Sequence, residues 1–274
     1  MPCATFVLST GRCGTQWIAA ALASALGSQA RVEHEPLHDK YSPRLMLGLN
    51  DPAKLEARSA RAVLAHADAI ARELDRRDYV ETGHPCWSSL PWLAERFAGR
   101  IRVVHLVRHP VPTACSWLSH GAFVPPLLPG LPAHELLQPT DGGVSFPEYR
   151  ATWPALTPLE KCLFYWAEVN AFGLRLERAT PAPWLRLPYE ELFDLRSDAL
   201  ARLLQFLGWP AETIGRIDRG ERVDQFRYHL PQWPDPELVA RHPAVGSVAA
   251  ALGYDPAQFA VAELRARFFT GGAT

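Results

Sequence analysis

Lysine is scarce in this sequence of 274 residues: only Lys40, Lys54 and Lys161 occur, and the other 25 of the 28 cationic residues are arginine. The formal net charge is -1 at pH 7, so no surplus of positive charge exists to bind nucleic acid or an anionic membrane through bulk electrostatics. Arginine suits phosphate and sulfate through its rigid guanidinium fork, but an excess of arginine in bulk identifies no site.

Paired cysteines are also lacking. The five cysteines are widely spaced and odd in number, and no Cys-x-x-Cys pair occurs among Cys3, Cys13, Cys86, Cys115 and Cys162. This pattern predicts neither a zinc site nor a disulfide framework, and reduced thiols favour a cytoplasmic location. Because no 18 apolar residues run together and no signal-peptide pattern opens the sequence, it predicts a soluble protein without a membrane span.

Short apolar segments alternate with amphipathic segments along most of the chain. Strands are predicted at residues 5–9, 30–34, 79–81, 101–107 and 184–187, and helices at 15–26, from Asp51-Pro52 to Leu74, from Pro112 through Trp117, and at 159–178 and 195–207. This alternation predicts an α/β fold: a single domain over residues 1–274, with a central parallel sheet of about five strands flanked by helices. Ligands of such sheets bind outside the carboxyl ends of the strands.

Eight prolines interrupt the segment from Val124 to Pro158, which has few periodic apolar residues. A long irregular stretch inside a compact domain is usually a functional loop. We therefore predict a Pro-rich lid or acceptor-binding insertion at about residues 124–158. The aromatic and Pro-rich stretch from Trp117 to Trp153 is predicted to shape the acceptor pocket, and Phe123, Phe146 and Tyr149 favour a partly apolar acceptor.

A glycine-rich loop joins the first predicted strand to the first helix and reads Ser9-Thr-Gly-Arg-Cys-Gly-Thr-Gln-Trp17. Backbone N–H groups at such a helix N-terminus bind anions, and Thr15 and Gln16 add side-chain donors. An ordinary turn capped by glycine is the alternative. The loop does not fit the GxxxxGK[ST] pattern, because Thr15 rather than lysine follows Gly14, and this disfavours an ATPase, GTPase or kinase.

A second candidate site follows the strand at 101–107. Arg108 ends this strand, and Ser116 lies eight residues further on, in the next predicted helix. An arginine at a sheet edge beside a helical serine forms a cationic, hydroxyl-lined pocket for a dianion. The alternative is a surface arginine near a serine that caps a helix.

Together the two segments resemble the phosphate-binding motifs of the P-loop-like sulfotransferase fold, whose members use 3′-phosphoadenylyl sulfate (PAPS). The first resembles the Lys/Arg-Ser-Gly-Thr/Ser core that holds the 5′-phosphosulfate; the matching residues are Gly11, Arg12, Cys13, Gly14, Thr15 and Gln16, with Cys13 in place of serine. A thiol is a weak donor. Arg108 and Ser116 resemble the 3′-phosphate motif, with His109 where aspartate or asparagine is common. The resemblance also implies that Trp17 and Tyr189 lie near the adenine, although Trp17 alternatively belongs to the core.

This resemblance spans residues 5–208 and is closest to bacterial and carbohydrate-type members. It implies transfer of a sulfuryl group from PAPS to a hydroxyl of a small-molecule or sugar acceptor, with adenosine 3′,5′-bisphosphate as the product and no metal. The Arg-Lys-Gly segment of cytosolic members has no match here, and Arg219, Arg222 and Arg227 are candidate replacements. The resemblance implies nothing about oligomeric state, so a homo-oligomer is left open.

The resemblance assigns Arg12 to the leaving oxygen and offers two candidates for the base. Glu35 in Glu35-Pro-Leu37 resembles the Glu-Pro-Leu segment of carbohydrate sulfotransferases. His84 follows the third strand, as in the Lys-Thr-His segment of cytosolic members, but Gly83 is inserted and Glu81 replaces the lysine. We favour Glu35 as the base, with His84 assisting or contacting the acceptor; His34 and His38 are weaker candidates.

Two other functions stay open on the sequence alone. One is a P-loop nucleotide kinase or NTPase, which would require magnesium but no 3′-phosphate. The other is a catalytically inactive nucleotide-binding member of the fold, because Cys13 replaces a hydroxyl donor in the phosphate loop.

Overall fold

The computed structural model describes residues 1–124, 134–194, 196–217 and 236–268. Five parallel strands form one sheet in the order β2-β3-β1-β4-β5; they are β1 (Ala4–Leu8), β2 (Ala30–His34), β3 (Asp78–Thr82), β4 (Ile101–Val107) and β5 (Trp184–Pro188). The predicted α/β class, parallel sheet and strand number are confirmed. All five strand predictions agree with the observed bounds to within one residue at each end.

Eleven helices are described in these ranges, besides short 3-10 turns: α1 (Thr15–Leu26), α2 (Pro43–Leu49), α3 (Ala57–Glu73), α4 (Leu90–Arg96), α5 (Pro110–Ser119), α6 (Pro158–Ala179), α7 (Tyr189–Phe193), α8 (Ala199–Phe206), α9 (Pro236–Ala240), α10 (Pro243–Ala251) and α11 (Val261–Phe268). Both faces of the sheet are covered. Helices α1 and α8 pack on one face, and α3 to α6 with α10 pack on the other.

The prediction of one helix from Asp51-Pro52 to Leu74 is wrong at its start. Asp51 caps only a single 3-10 turn, Pro52–Lys54, after which the chain is extended at Leu55. Glu56 then provides a second cap, accepting hydrogen bonds from the backbone N–H groups of Arg58 and Ser59, and α3 begins at Ala57. Asp51 and Pro52 therefore do cap an element, but it is the 3-10 turn and not α3.

Other helices also differ from the prediction: α4, α9, α10 and α11 were not predicted, and α5 begins at Pro110 rather than at Pro112. Helix α2 was not predicted, although Ser42 accepts a hydrogen bond from the Leu45 N–H and Pro43 occupies the first turn. The predicted helix at 195–207 begins later, at Ala199, and a separate short helix, α7, precedes it directly after β5. Leu195 lies outside the described residues.

Residues 125–133 of the predicted lid lie outside the described residues, so the lid stays a prediction. The described part that follows is fixed to α2. Arg44 pairs with Asp141 through two hydrogen bonds of 2.8 and 2.7 Å, and the Ser42 hydroxyl donates to the His134 carbonyl at 2.7 Å. Within the described ranges, no helix is both long and apolar enough to cross a membrane.

Candidate active site

The predicted site residues lie at the carboxyl edge of the sheet, where the five parallel strands end together. The phosphate loop, Ser9 to Gly14, connects the end of β1 to the start of α1. Gly11, Arg12 and Gly14 have φ angles of 73°, 58° and 77°. Left-handed backbone in such a turn directs N–H groups into a concave surface that binds anions. The non-glycine residue in this conformation, Arg12, carries backbone strain of a kind that clusters at functional sites.

The phosphate loop is held in shape by its own side chains and by α5. The Ser9 hydroxyl accepts a hydrogen bond from the Gly11 N–H at 3.1 Å, and the Thr10 hydroxyl donates to the Gly11 carbonyl at 3.0 Å. The indole N–H of Trp117 donates to the Thr10 carbonyl at 2.9 Å. These bonds stabilise the left-handed turn of the loop.

Cys13 takes part in this internal bonding. Its side chain is fully buried, and its thiol lies 3.1 Å from the Gly11 carbonyl and 3.3 Å from the Thr10 hydroxyl. Burial raises the pKa of the thiol to about 11, so the group stays protonated at neutral pH. The thiol therefore bonds within the loop.

Gly14 is required for a second reason, which is contact with α7. A Cβ atom at Gly14 would lie 3.1 Å from Tyr189 Cε2, whereas a Cβ atom at Gly99, which has the same φ of 77°, would meet nothing within 4 Å.

We expect Gly99→Ala to lower the free energy of unfolding by about 1–2 kcal/mol through backbone strain alone. Gly14→Ala is expected to cost at least about 1 kcal/mol more through overpacking, measured by urea unfolding. Equal losses of unfolding free energy in the two variants would show that the Tyr189 side chain moves aside without cost.

Arg108 and Ser116 contact the phosphate loop directly. The Arg108 guanidinium donates to the Arg12 carbonyl at 2.7 Å, and the Arg12 Nε donates to the Ser116 hydroxyl at 3.1 Å. Arg108 is 5% exposed, and its guanidinium carbon lies 4.4 Å from the centre of the Tyr189 ring. The structure thus brings two arginines and a serine from two separate segments into one cluster.

Three aromatic side chains line the other side of this cluster. The ring of Phe193 lies 4.9 Å from that of Trp17 and 4.9 Å from that of Tyr189. Trp17 is half-buried and packs against the buried cluster that contains Ile18 and Leu22. Thr15 is buried and Gln16 exposed at the start of α1. Phe193 was missed by sequence analysis, although it is four residues after Tyr189 on the same helix.

Hydrogen bonds connect the segment after Arg108 to the C-terminal part of the chain. The backbone N–H of His109 donates to Glu190 at 3.0 Å. The ring Nδ1 of His109 accepts from the Val111 N–H. The ring proton is therefore on Nε2, which donates to the Asp255 carbonyl at 2.9 Å. Burial lowers the pKa of His109. Tyr254 donates to the other oxygen of Glu190 at 2.7 Å. Sequence analysis missed Glu190, Tyr254 and Asp255 because nothing local marks such distant contacts.

Glu35 lies at the end of β2, with its carboxylate partly exposed and its φ at 48°. Its N–H bonds the Thr82 carbonyl at 2.9 Å, which ties the turn to β3. A Cβ atom at Gly83 would lie 2.3 Å from Glu35 Cγ, and Gly83 has a φ of 137°. The glycine inserted beside His84 thus makes room for Glu35.

The spacing of the strands sets the distance between Glu35 and the phosphate loop. Strand β3 separates β2 from β1, so two interstrand spacings place the Glu35 backbone about 10 Å from the loop. Tyr165 interacts electrostatically with both Cys13 in the loop and Glu35; burial raises the pKa of its phenol well above the usual value, with smaller contributions from Glu135, Cys13 and Glu35.

Two of the sequence predictions cannot be placed. The backbone of His84 begins a 3-10 turn, but its side chain lies outside the described residues, as do Arg219, Arg222 and Arg227. In the ranges that the structure describes, no group of three or more histidine, cysteine, aspartate or glutamate side chains is arranged to hold a metal ion.

Comparisons with known proteins give a structural likeness. No protein-family model matches the sequence, and no curated protein matches it. The sulfotransferase domain from the curacin biosynthetic pathway is similar with a TM-score of 0.50 and 16% identity, over 93% of this chain and 99% of that chain. The sulfotransferase domain of the Synechococcus PCC 7002 olefin synthase has a TM-score of 0.49 and 19% identity, over 93% of this chain and 95% of that chain. A sulfotransferase from Alicyclobacillus acidocaldarius has a TM-score of 0.49 and 15% identity, over 93% of this chain and 97% of that chain. The likeness to the curacin domain, at 16% identity, shows a shared fold and no more.

Proposed function

We propose that this chain is a sulfotransferase that moves a sulfuryl group from PAPS to a hydroxyl of a small-molecule or carbohydrate acceptor. The contact between the two phosphate motifs carries the proposal: Arg108 bonds the Arg12 carbonyl, and Arg12 bonds Ser116. One cluster thereby offers cations and hydroxyls to two anionic groups. The fold shared with the curacin sulfotransferase domain supports the same function.

The residues of the cluster fit a nucleotide with phosphates at both the 3′ and 5′ positions. The concave backbone from Gly11 to Gly14, next to the N-terminus of α1, suits the 5′ end. Arg108 and Ser116 suit a 3′-phosphate dianion. The aromatic row of Trp17, Phe193 and Tyr189 offers ring faces to an adenine.

The bound donor supplies the sulfuryl group and leaves as adenosine 3′,5′-bisphosphate. Arg12 stabilises negative charge that develops on the leaving oxygen, since its guanidinium is fixed by Ser116 before the reaction. Glu35 removes the proton from the acceptor hydroxyl. The proposal requires no donor group from Cys13, whose thiol bonds within the loop. Buried free thiols at Cys13, Cys86, Cys115 and Cys162 also favour a reducing compartment, which we propose is the cytoplasm.

Ligand-dependent melting tests the proposal on the unmodified protein. We expect saturating adenosine 3′,5′-bisphosphate to raise Tm by about 5 °C, 5′-AMP at equal concentration to raise it much less, and EDTA to change neither result. Turnover is followed as release of the bisphosphate from PAPS in the presence of a panel of sugar and phenolic acceptors.

Each rival function gives a different result. A nucleotide kinase or NTPase would be stabilised by MgATP, with no gain from a 3′-phosphate. An inactive member of the fold would be stabilised by the bisphosphate and yet release none from PAPS with any acceptor. If the 3′-phosphate adds no stabilisation, the proposed function is lost.

A further inference from the structure

His34 and Glu35 form a pair of titratable side chains at the end of β2. His34 Nε2 lies 3.8 Å from Glu35 Oε1. The opposite nitrogen of the same ring, Nδ1, lies 3.1 Å from the Thr82 carbonyl and 3.2 Å from the Thr82 hydroxyl oxygen. One edge of the imidazole therefore faces β3, and the other edge faces the carboxylate.

The contacts of Thr82 determine which nitrogen carries the proton. A carbonyl oxygen can only accept, and the Thr82 hydroxyl donates its own hydrogen to the Thr15 carbonyl at 3.0 Å, which leaves its oxygen to accept as well. Nδ1 therefore holds a hydrogen toward Thr82. In the neutral ring, Nε2 then has a lone pair, and that lone pair faces Glu35.

The Nε2–Oε1 separation of 3.8 Å is an ion-pair distance and is longer than a hydrogen bond. Such contacts often shorten when the substrate binds, and with Nδ1 committed to Thr82 the other proton site of the ring is the one nearest Glu35. The backbone constrains the geometry, because Glu35 is held at a φ of 48° by its N–H bond to Thr82. Thr82 thus anchors both members of the pair.

We propose that His34 is a positioning residue for Glu35, which orients the carboxylate and takes over the proton that Glu35 removes from the acceptor hydroxyl. This inference rests on the proposed function for Glu35. As the acceptor oxygen forms its bond to sulfur and the bond from sulfur to the phosphate oxygen breaks, the hydroxyl proton passes to Glu35 and then to Nε2. The resulting imidazolium releases the proton to water, since the His34 side chain is 29% exposed.

Other titratable groups also face Glu35. His38 Nδ1 lies 3.9 Å from the second carboxylate oxygen, Oε2, on a side chain that is 68% exposed. The buried thiol of Cys86 and the phenol of Tyr165 interact electrostatically with Glu35 from the 3-10 turn after β3 and from α6. His38 provides the matched control, because it is another histidine at almost the same distance from Glu35.

Nuclear magnetic resonance of the ¹⁵N-labelled full chain tests the pair without any turnover. We expect neutral His34 to be the Nδ1–H tautomer, and we expect the ¹⁵N resonance of its Nε2 to move in Glu35→Gln, because Nε2 is the ring nitrogen nearest the Glu35 carboxylate. His38→Asn is expected to leave the tautomer unchanged. An Nε2–H tautomer, or an Nε2 resonance that does not respond to Glu35→Gln, overturns the inference.

Two substitutions of His34 distinguish the roles of its two ring nitrogens. Asparagine keeps a donor toward Thr82 and loses Nε2, and glutamine keeps a polar group near the Nε2 position that cannot titrate. Both are expected to lower kcat about tenfold or more, with the KM for PAPS unchanged. An unchanged kcat, or a rise in KM that accounts for the whole loss of activity, overturns the inference. The expected tautomer and Nε2 response in a protein that transfers no sulfuryl group would support the pair and overturn the proposed function.

Discussion

Replacing Glu35 with glutamine is expected to lower kcat by about a hundredfold to ten-thousandfold, because the amide cannot take a proton from the acceptor hydroxyl. Glutamine has nearly the same shape, so the close packing against Gly83 is preserved. Binding of adenosine 3′,5′-bisphosphate should be unchanged, since two strand spacings separate Glu35 from the phosphate loop. Single-turnover formation of the bisphosphate measures the chemical step, and calorimetry measures binding.

Glu33→Gln is the matched control for this result. Glu33 lies two residues earlier on β2, and its carboxylate bonds Arg31 and the Tyr79 hydroxyl at 2.9 Å. The substitution removes a carboxylate from the same strand but leaves the carboxyl edge of the sheet intact, so turnover should persist. If Glu35→Gln retains full kcat, Glu35 is not the base. A loss of bisphosphate binding in Glu35→Gln would instead indicate that the substitution disturbs the loop.

The sheet was predictable because its strands are short apolar runs that end at turn residues. Strand β4 was predicted to the residue, since Ile101–Val107 is nearly continuous in apolar character and buried on both faces. Strand order along the sheet, however, depends on pairings between distant segments. That Glu35 lies two strands from the phosphate loop, while Arg108 lies next to it, could be learned only from the structure.

Capping signals were less reliable than apolar periodicity. The Asp51-Pro52 signature caps a real element, but Leu55 is buried with Tyr41 in a small cluster outside the main core, and the chain is extended there. Tertiary packing thus ended the first turn, and Glu56 restarted the helix. Local sequence gave no sign of that interruption.

At the candidate site, the directions of the side chains could not be predicted from the residue types. Cys13 was interpreted as a weak substitute for a hydroxyl donor to the ligand, whereas its thiol is turned inward to the Gly11 carbonyl. Gly83 looked like an insertion that spoils a histidine motif, and its reason emerged only from the position of Glu35 Cγ. The tautomer of His34 similarly depends on Thr82, which lies 48 residues away in sequence.

Arg108→Ala is expected to abolish most of the preference for a 3′-phosphate. The guanidinium is buried between the Arg12 carbonyl and the Tyr189 ring, so its contact with a phosphate dianion would be desolvated and strong. Loss of such a charged hydrogen bond is worth about 3 kcal/mol, or about a hundredfold in Kd for adenosine 3′,5′-bisphosphate. The Kd for 5′-AMP should change far less. The ratio of the two Kd values, measured by calorimetry, is therefore the diagnostic quantity.

Arg102→Ala controls for the loss of an arginine from the same strand. Its guanidinium also donates to a backbone carbonyl, that of Leu207, at 2.9 Å, but it lies at the opposite end of β4. Both variants should lose some stability, because each leaves a carbonyl without its donor, and only Arg108→Ala should lose the 3′-phosphate preference. Arg108→Lys keeps the charge without the planar fork and should fall between them. Equal Kd ratios in wild type and Arg108→Ala would assign the 3′-phosphate to other cations. Arg12 would then be the cation that binds both nucleotides, and Arg108 would only hold the Arg12 carbonyl in place.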